Sequence, residues 1–187
     1  MDPGLRDAVR RSARRATWVG VVGAVTGAAI GFWLSFGERP AEVLLLVVGG
    51  TMAVGGLGAT LTILASQFRM RSLTNGPTAG LTVGEKRMVQ GAILSRASIA
   101  LELEPAAVDQ ARVLAAILPL ATAQSALLSC GLIGSQVIGL ASADSSSWFR
   151  IVLVAVLIVT GVIVFGVLRR NLDRVRRYLA TLDTAAA

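Results

Sequence analysis

The 187-residue sequence has no histidine, one cysteine (Cys130) and one lysine (Lys86). Each shortage removes a class of chemistry. Without histidine, catalytic triads that use an imidazole base are unavailable, and a metal site loses its commonest nitrogen ligand. One thiol cannot close a disulfide within the chain or complete a Cys-based zinc site. Charged residues make up 16% of the chain and aromatic residues 5%, against 54% hydrophobic residues. That balance is too apolar for an ordinary soluble domain. The charges are also unevenly placed. Four stretches, residues 16–37, 43–68, 113–143 and 151–168, contain no Asp, Glu, Lys or Arg.

A helix needs roughly 20 apolar residues to cross the hydrocarbon core of a bilayer, and each stretch is of that order. In lipid every backbone N–H and C=O must pair internally, which leaves helices and closed barrels. The runs are long and do not alternate, which selects helices. The expected fold is therefore all-α: a four-transmembrane-helix bundle forming a single integral membrane domain over residues 1–187, with a cytoplasmic connection at 69–112. Basic residues in the five segments around the stretches number 5, 1, 6, 1 and 5. If all four stretches cross, 16 of the 18 lie on one side, and the positive-inside rule assigns that side, with both termini, to the cytoplasm. Arginine supplies 17 of the 18, a usage that fits a GC-rich bacterial genome and hence the bacterial inner membrane. In layout and composition the chain resembles the small four-helix membrane proteins of GC-rich actinobacteria. The first run exceeds a signal-peptide core in length, and the following Gly37-Glu38-Arg39-Pro40 offers no small-x-small cleavage site. It reads as an uncleaved membrane helix.

A net charge of +7 raises the question of nucleic acid. The arginines, however, flank apolar spans and belong to no recognisable nucleic-acid module. They fit anionic lipid headgroups, with Arg10, Arg11, Arg14 and Arg15 before the first span and Arg169, Arg170 and Arg174 after the last.

Two patterns inside the spans stand out. Gly23, Gly27 and Gly31 recur every four residues in the first, with Gly20 just before. Such spacing opens a groove in which another helix backbone can approach closely. The expected occupant is the second span, which the short turn at 37–41 makes an antiparallel neighbour; self-association between chains is the alternative. Thr51, Gly55 and Ala59 form a matching small stripe on that second span. In the third span, Thr122, Ser125, Ser129 and Gln136 fall on one polar face. They serve either as hydrogen-bonding glue between helices or as the wall of a pathway. The fourth span is the plainest and is expected to face lipid.

The connection between spans two and three holds turn residues at 72–77 and then Thr82-Val83-Gly84-Glu85, a capping box. It predicts a short amphipathic helix from Val83 to about Leu101, with Val89, Ala92, Ile93 and Ala97 or Ala100 on its apolar face. Pro105 suits the first turn of the next helix, which should run to about Leu140 with Pro119 as a potential kink. Gly76, Gly80 and Gly84 lack the Gly-Lys-Ser/Thr ending of a phosphate-binding loop. Glu102, Glu104 and Asp109 are explained by a helix N-terminus. No catalytic, cofactor or metal residue is assigned.

No Asp, Glu, Lys, Arg or His lies within any span, which argues against a proton relay or an ion-coupled transporter. The pattern points to a non-enzymatic membrane protein that acts through helix–helix association, as an accessory subunit, a scaffold or a small homo-oligomer, with the lipid bilayer and a membrane-protein partner or second copy as its contacts. The alternative is an oligomeric channel or small-solute transporter lined by the polar face of span three. The basic asymmetry makes a direct prediction. Reporters that work only when exported, fused at Met1 or at Ala187, should both stay silent; a signal from either would overturn the topology.

Overall fold

The computed structural model describes residues 3–95, 100–141 and 147–185. They form α1 (Pro3–Leu34), α2 (Pro40–Asn75), α3 (Val83–Ser95), α4 (Glu104–Ala141) and α5 (Ser147–Ala185), with single 3-10 turns at Gly76–Thr78 and Leu101–Leu103. Among the described residues there is no strand. Four of the helices are long and apolar enough to cross a membrane, within Gly4–Leu34, Pro40–Arg71, Leu101–Ala141 and Trp148–Leu182.

By packing, the chain divides into two compact units. The first comprises Met1–Arg11, Ser66–Thr122 and Gly166–Ala187; the second comprises Ser12–Ala65 and Ala123–Phe165.

The first unit is built like a small soluble helical core. Val89, Ile93, Ala107, Ala111 and Val175 are fully buried together, and Leu94, Leu103, Leu114, Leu118, Tyr178 and Leu179 pack around them. Burying a Val or Ile side chain fully contributes about 1.5–3 kcal/mol, so this cluster is a substantial source of stability. It brings the apolar face of α3 against the beginning of α4 and the end of α5. Helix α3 is described only to Ser95. The expected helix end at about Leu101 is not reached, since the chain is extended at Ala100; residues 96–99, with the expected face position Ala97, lie outside the described residues. Residues 114–118, expected at the start of a span, pack on this cluster. Burial, and next the charge of Glu104, push the Tyr178 hydroxyl above its ordinary pKa. Helix α4 continues through Pro119.

Local sequence sets the start of α3. Gly80 takes φ +93°, a left-handed conformation that suits a residue without Cβ, and turns the chain into Thr82. The Glu85 carboxylate accepts from the Thr82 backbone N–H (2.6 Å) and hydroxyl (2.7 Å), and the Glu85 N–H donates to the Thr82 Oγ1 (3.3 Å). The expected reciprocal cap is thus present.

In the second unit, α1 runs into α2 through Gly37, at φ +94°. The Ser35 hydroxyl donates to the Phe32 carbonyl at 2.6 Å, and the Glu38 N–H donates to the Ser35 carbonyl at 3.1 Å. The N-terminal arginine segment belongs to the same continuous helix as the first span, since α1 begins at Pro3.

The cap generates a pH prediction. Hydrogen bonds from Thr82 hold the Glu85 carboxyl below its ordinary value of 4.5. A carboxylate whose folded pKa is depressed adds stability above the ordinary value and loses it as pH falls through the depressed one. The protection factors of the α3 amides, with exchange normalised to its intrinsic pH dependence, should therefore be high and level above pH 4.5 and should fall below it. Thr82→Ala should cost about 0.5–2 kcal/mol of protection at neutral pH and flatten the acid dependence. A wild-type profile without an acid limb would contradict the role given to Glu85.

Candidate functional site: glycine-packed helix contacts

Helix α2 is the most enclosed of the four long helices. Thirty-nine per cent of its most apolar window is buried, against none for α5. Two of its faces are stripped of side chain, and each meets a different neighbour.

The first face meets α1. A Cβ placed on Gly27 would overlap the Gly50 carbonyl, and one on Gly31 would overlap the Leu46 carbonyl. On Gly23 it would stand 2.9 Å from the Val54 carbonyl oxygen and 3.1 Å from the Gly55 Cα. On Gly20 it would sit 3.3 Å from the Ala59 Cβ. Each four-residue step down α1 is matched by a four-residue step up α2, so the pair is antiparallel in one constant register. The structure thus brings Gly23, Gly27 and Gly31 together with Gly55 and Ala59. Thr51 contributes its backbone nitrogen beside Gly27, while its hydroxyl donates to the Val47 carbonyl of its own helix at 2.7 Å.

The second face meets α4 and was not anticipated. A Cβ on Gly56 would lie 2.6 Å from the Leu127 carbonyl oxygen and 2.9 Å from the Gly131 Cα. On Gly134 it would lie 2.5 Å from the Ala53 nitrogen and 2.7 Å from the Gly49 carbonyl oxygen. Gly49, Ala53 and Gly56 follow the i, i+4, i+7 spacing of one helix face. With spacings of seven on α2 and three on α4, no Gly-xxx-Gly pattern announces them. The signal that could have found them is the surplus of glycine in α2 beyond what one stripe requires.

The residues of the expected polar face of α4 have different local partners. Thr122 lies in the first unit and donates to the Leu118 carbonyl at 2.8 Å. In the second unit, the Gln136 amide donates to the adjacent Ser135 hydroxyl at 3.4 Å, and that hydroxyl donates to the Leu132 carbonyl at 2.7 Å. Threonines on α2 behave alike: Thr60 and Thr62 donate to the Gly56 and Gly58 carbonyls, one turn back. These hydroxyls donate within their own helices. Ser129 instead faces α5, where a Cβ on Gly161 would lie 2.9 Å from its Oγ. Ser129 also borders an open apolar groove of about 370 Å³, with Met52, Cys130, Leu157, Gly161 and Phe165. Ser125 is half-buried.

Of the headgroup arginines, Arg10 and Arg11 belong to the first unit and Arg14 and Arg15 to the second; all four are exposed. Arg169, Arg170 and Arg174 are exposed in the first unit. At the turn between α1 and α2, the neighbouring Glu42 carboxylate raises the pKa of Glu38 through a shared hydrogen bond, and Glu42 is lowered in return. Among the described residues no group of three or more His, Cys, Asp or Glu could hold a metal ion. No protein-family model, curated protein or solved structure matches the chain.

The contacts can be tested one methyl at a time. Gly27→Ala and Gly134→Ala should each force backbones apart, at about 1–3 kcal/mol by analogy with overpacked cores. Nothing lies within 4 Å of a Cβ on Gly166 in α5. Gly166→Ala should therefore be neutral, or stabilising by up to about 1 kcal/mol through helix propensity. Thermal unfolding in detergent that gives all three the same midpoint would contradict this ranking.

Proposed function

We propose that the chain is a multi-pass protein of the bacterial inner membrane, with both termini in the cytoplasm, that works through helix–helix association as an accessory subunit, a scaffold or a small homo-oligomer, and not as an enzyme. The observation that carries this reading is the contrast between the faces of the long helices. Contacts of α2 with α1 and α4 are made backbone to backbone. By contrast, α5 presents Val152, Val156, Val159, Val162 and Ile163 outward, and α1 does the same with Val22, Val25 and Phe32. In a bilayer those faces meet lipid or another helix with no penalty for leaving water, and association then depends on packing and on lipid release.

Topology rests on the arginine distribution, and the headgroup contacts rest on the exposure of those arginines. The channel reading is weakened by the inward donation of the hydroxyls on α2 and α4. Mass measurement in nanodiscs, on protein extracted from its own membrane, tests the association. Discs holding more than one copy, or one copy with a second protein in fixed ratio, are expected. Discs holding single copies alone, across a range of extraction conditions, would contradict it.

A further inference from the structure

The first unit holds a pocket of about 370 Å³ whose described lining is Leu94, Ser95, Arg174 and Arg177. Its floor is set by the core: Leu94 packs on the Val89–Ile93–Val175 cluster, and Val175 lies between the two arginines in sequence. Arg174 and Arg177 are three residues apart on α5, so they share one helix face and project together. Both line this one pocket, where an anion would meet two positive charges at once. Among the described residues neither is ion-paired or hydrogen-bonded to a partner. The Ser95 hydroxyl donates to the Gly91 carbonyl, so the donors free for a ligand are those of the guanidiniums. Each presents a planar fork of N–H groups that matches the oxygens of a phosphate. Nearby Arg169, Arg170 and Arg176 against Asp173 leave this stretch of α5 strongly positive. The volume falls at the lower end of the roughly 300–1,000 Å³ of small-ligand pockets, enough for a phosphate with an organic group attached.

We propose that Arg174 and Arg177, over the Leu94–Ser95 end of α3, form a binding site for a phosphate group, carried either by an anionic lipid headgroup or by a small soluble phosphate ester. The site does not depend on the helix-association reading, and either can fail without the other.

The test uses the full chain in nanodiscs of phosphatidylcholine. One arm titrates inorganic phosphate at constant ionic strength against chloride, following the arginine Nε–H resonances by NMR. The other replaces part of the lipid with phosphatidylglycerol and measures lipid retained on the protein by native mass spectrometry. Wild type should show saturable binding in at least one arm: the phosphate arm marks a soluble ligand, and the lipid arm alone marks a headgroup. Arg174→Gln with Arg177→Gln should weaken that binding by about tenfold or more, which corresponds to about 1.4 kcal/mol. Arg176→Gln, which removes one arginine charge of the same helix outside the described lining, should leave it within about twofold, a few tenths of a kcal/mol. Arg174→Lys with Arg177→Lys keeps the charge and guards against misfolding; it should also weaken binding, because an ammonium lacks the paired fork. Absence of saturable binding in both arms, or an equal loss in Arg176→Gln, would overturn the site.

Discussion

Close approach of backbones along α2 constrains the second unit more than any other interaction. Where a carbonyl oxygen already stands in the place of a missing Cβ, as at Gly27 and Gly31, the two helices cannot rotate or slide without collision. The α1 contact and the α4 contact lie on different faces of α2, so fixing one does not fix the other. Each needs its own run of small residues. This accounts for a glycine content in α2 that would weaken a helix in water by up to about 1 kcal/mol per residue. Inside a bilayer that loss is offset, because an unpaired backbone group costs more than the helix conformation does.

The first unit obeys a different rule. Its stability comes from burying Val89, Ile93, Val175 and their neighbours, the ordinary hydrophobic device of a soluble protein. The residues between the second and third spans are therefore a folded element with its own core, supplied with partners by parts of α4 and α5. Within that element Arg174 and Arg177 are exposed by the same periodicity that buries Val175 and sets the half-buried Leu179 against the core.

Much of this was legible in the amino acids. Absence of charge marked the long helices, because an ionised side chain in hydrocarbon is too costly to leave there by chance. The four-residue spacing of Gly23, Gly27 and Gly31 marked a contact face, and Thr82 with Glu85 marked the start of α3. What was not legible depended on tertiary partners. Gly131 and Gly134 look like isolated glycines until Gly49, Ala53 and Gly56 are placed opposite them. No local signal announces that the chain is extended at Ala100, short of the expected helix end at about Leu101. Angular position alone grouped Thr122, Ser125, Ser129 and Gln136, but a hydroxyl can always return to the carbonyl one turn back, and at Thr122 it does. In α5, the contact of Gly161 with Ser129 likewise carries no local signal.

The central claim is that α2 meets α1 and α4 backbone to backbone. Nuclear Overhauser contacts between glycine α-protons, in protein carrying labelled glycine in nanodiscs, test it most directly. Cross-peaks between Gly27 and Gly50, and between Gly56 and Gly131, are expected together. Loss of either cross-peak in folded wild-type protein, with side-chain contacts appearing in its place, would contradict the packing on which the spanning unit rests.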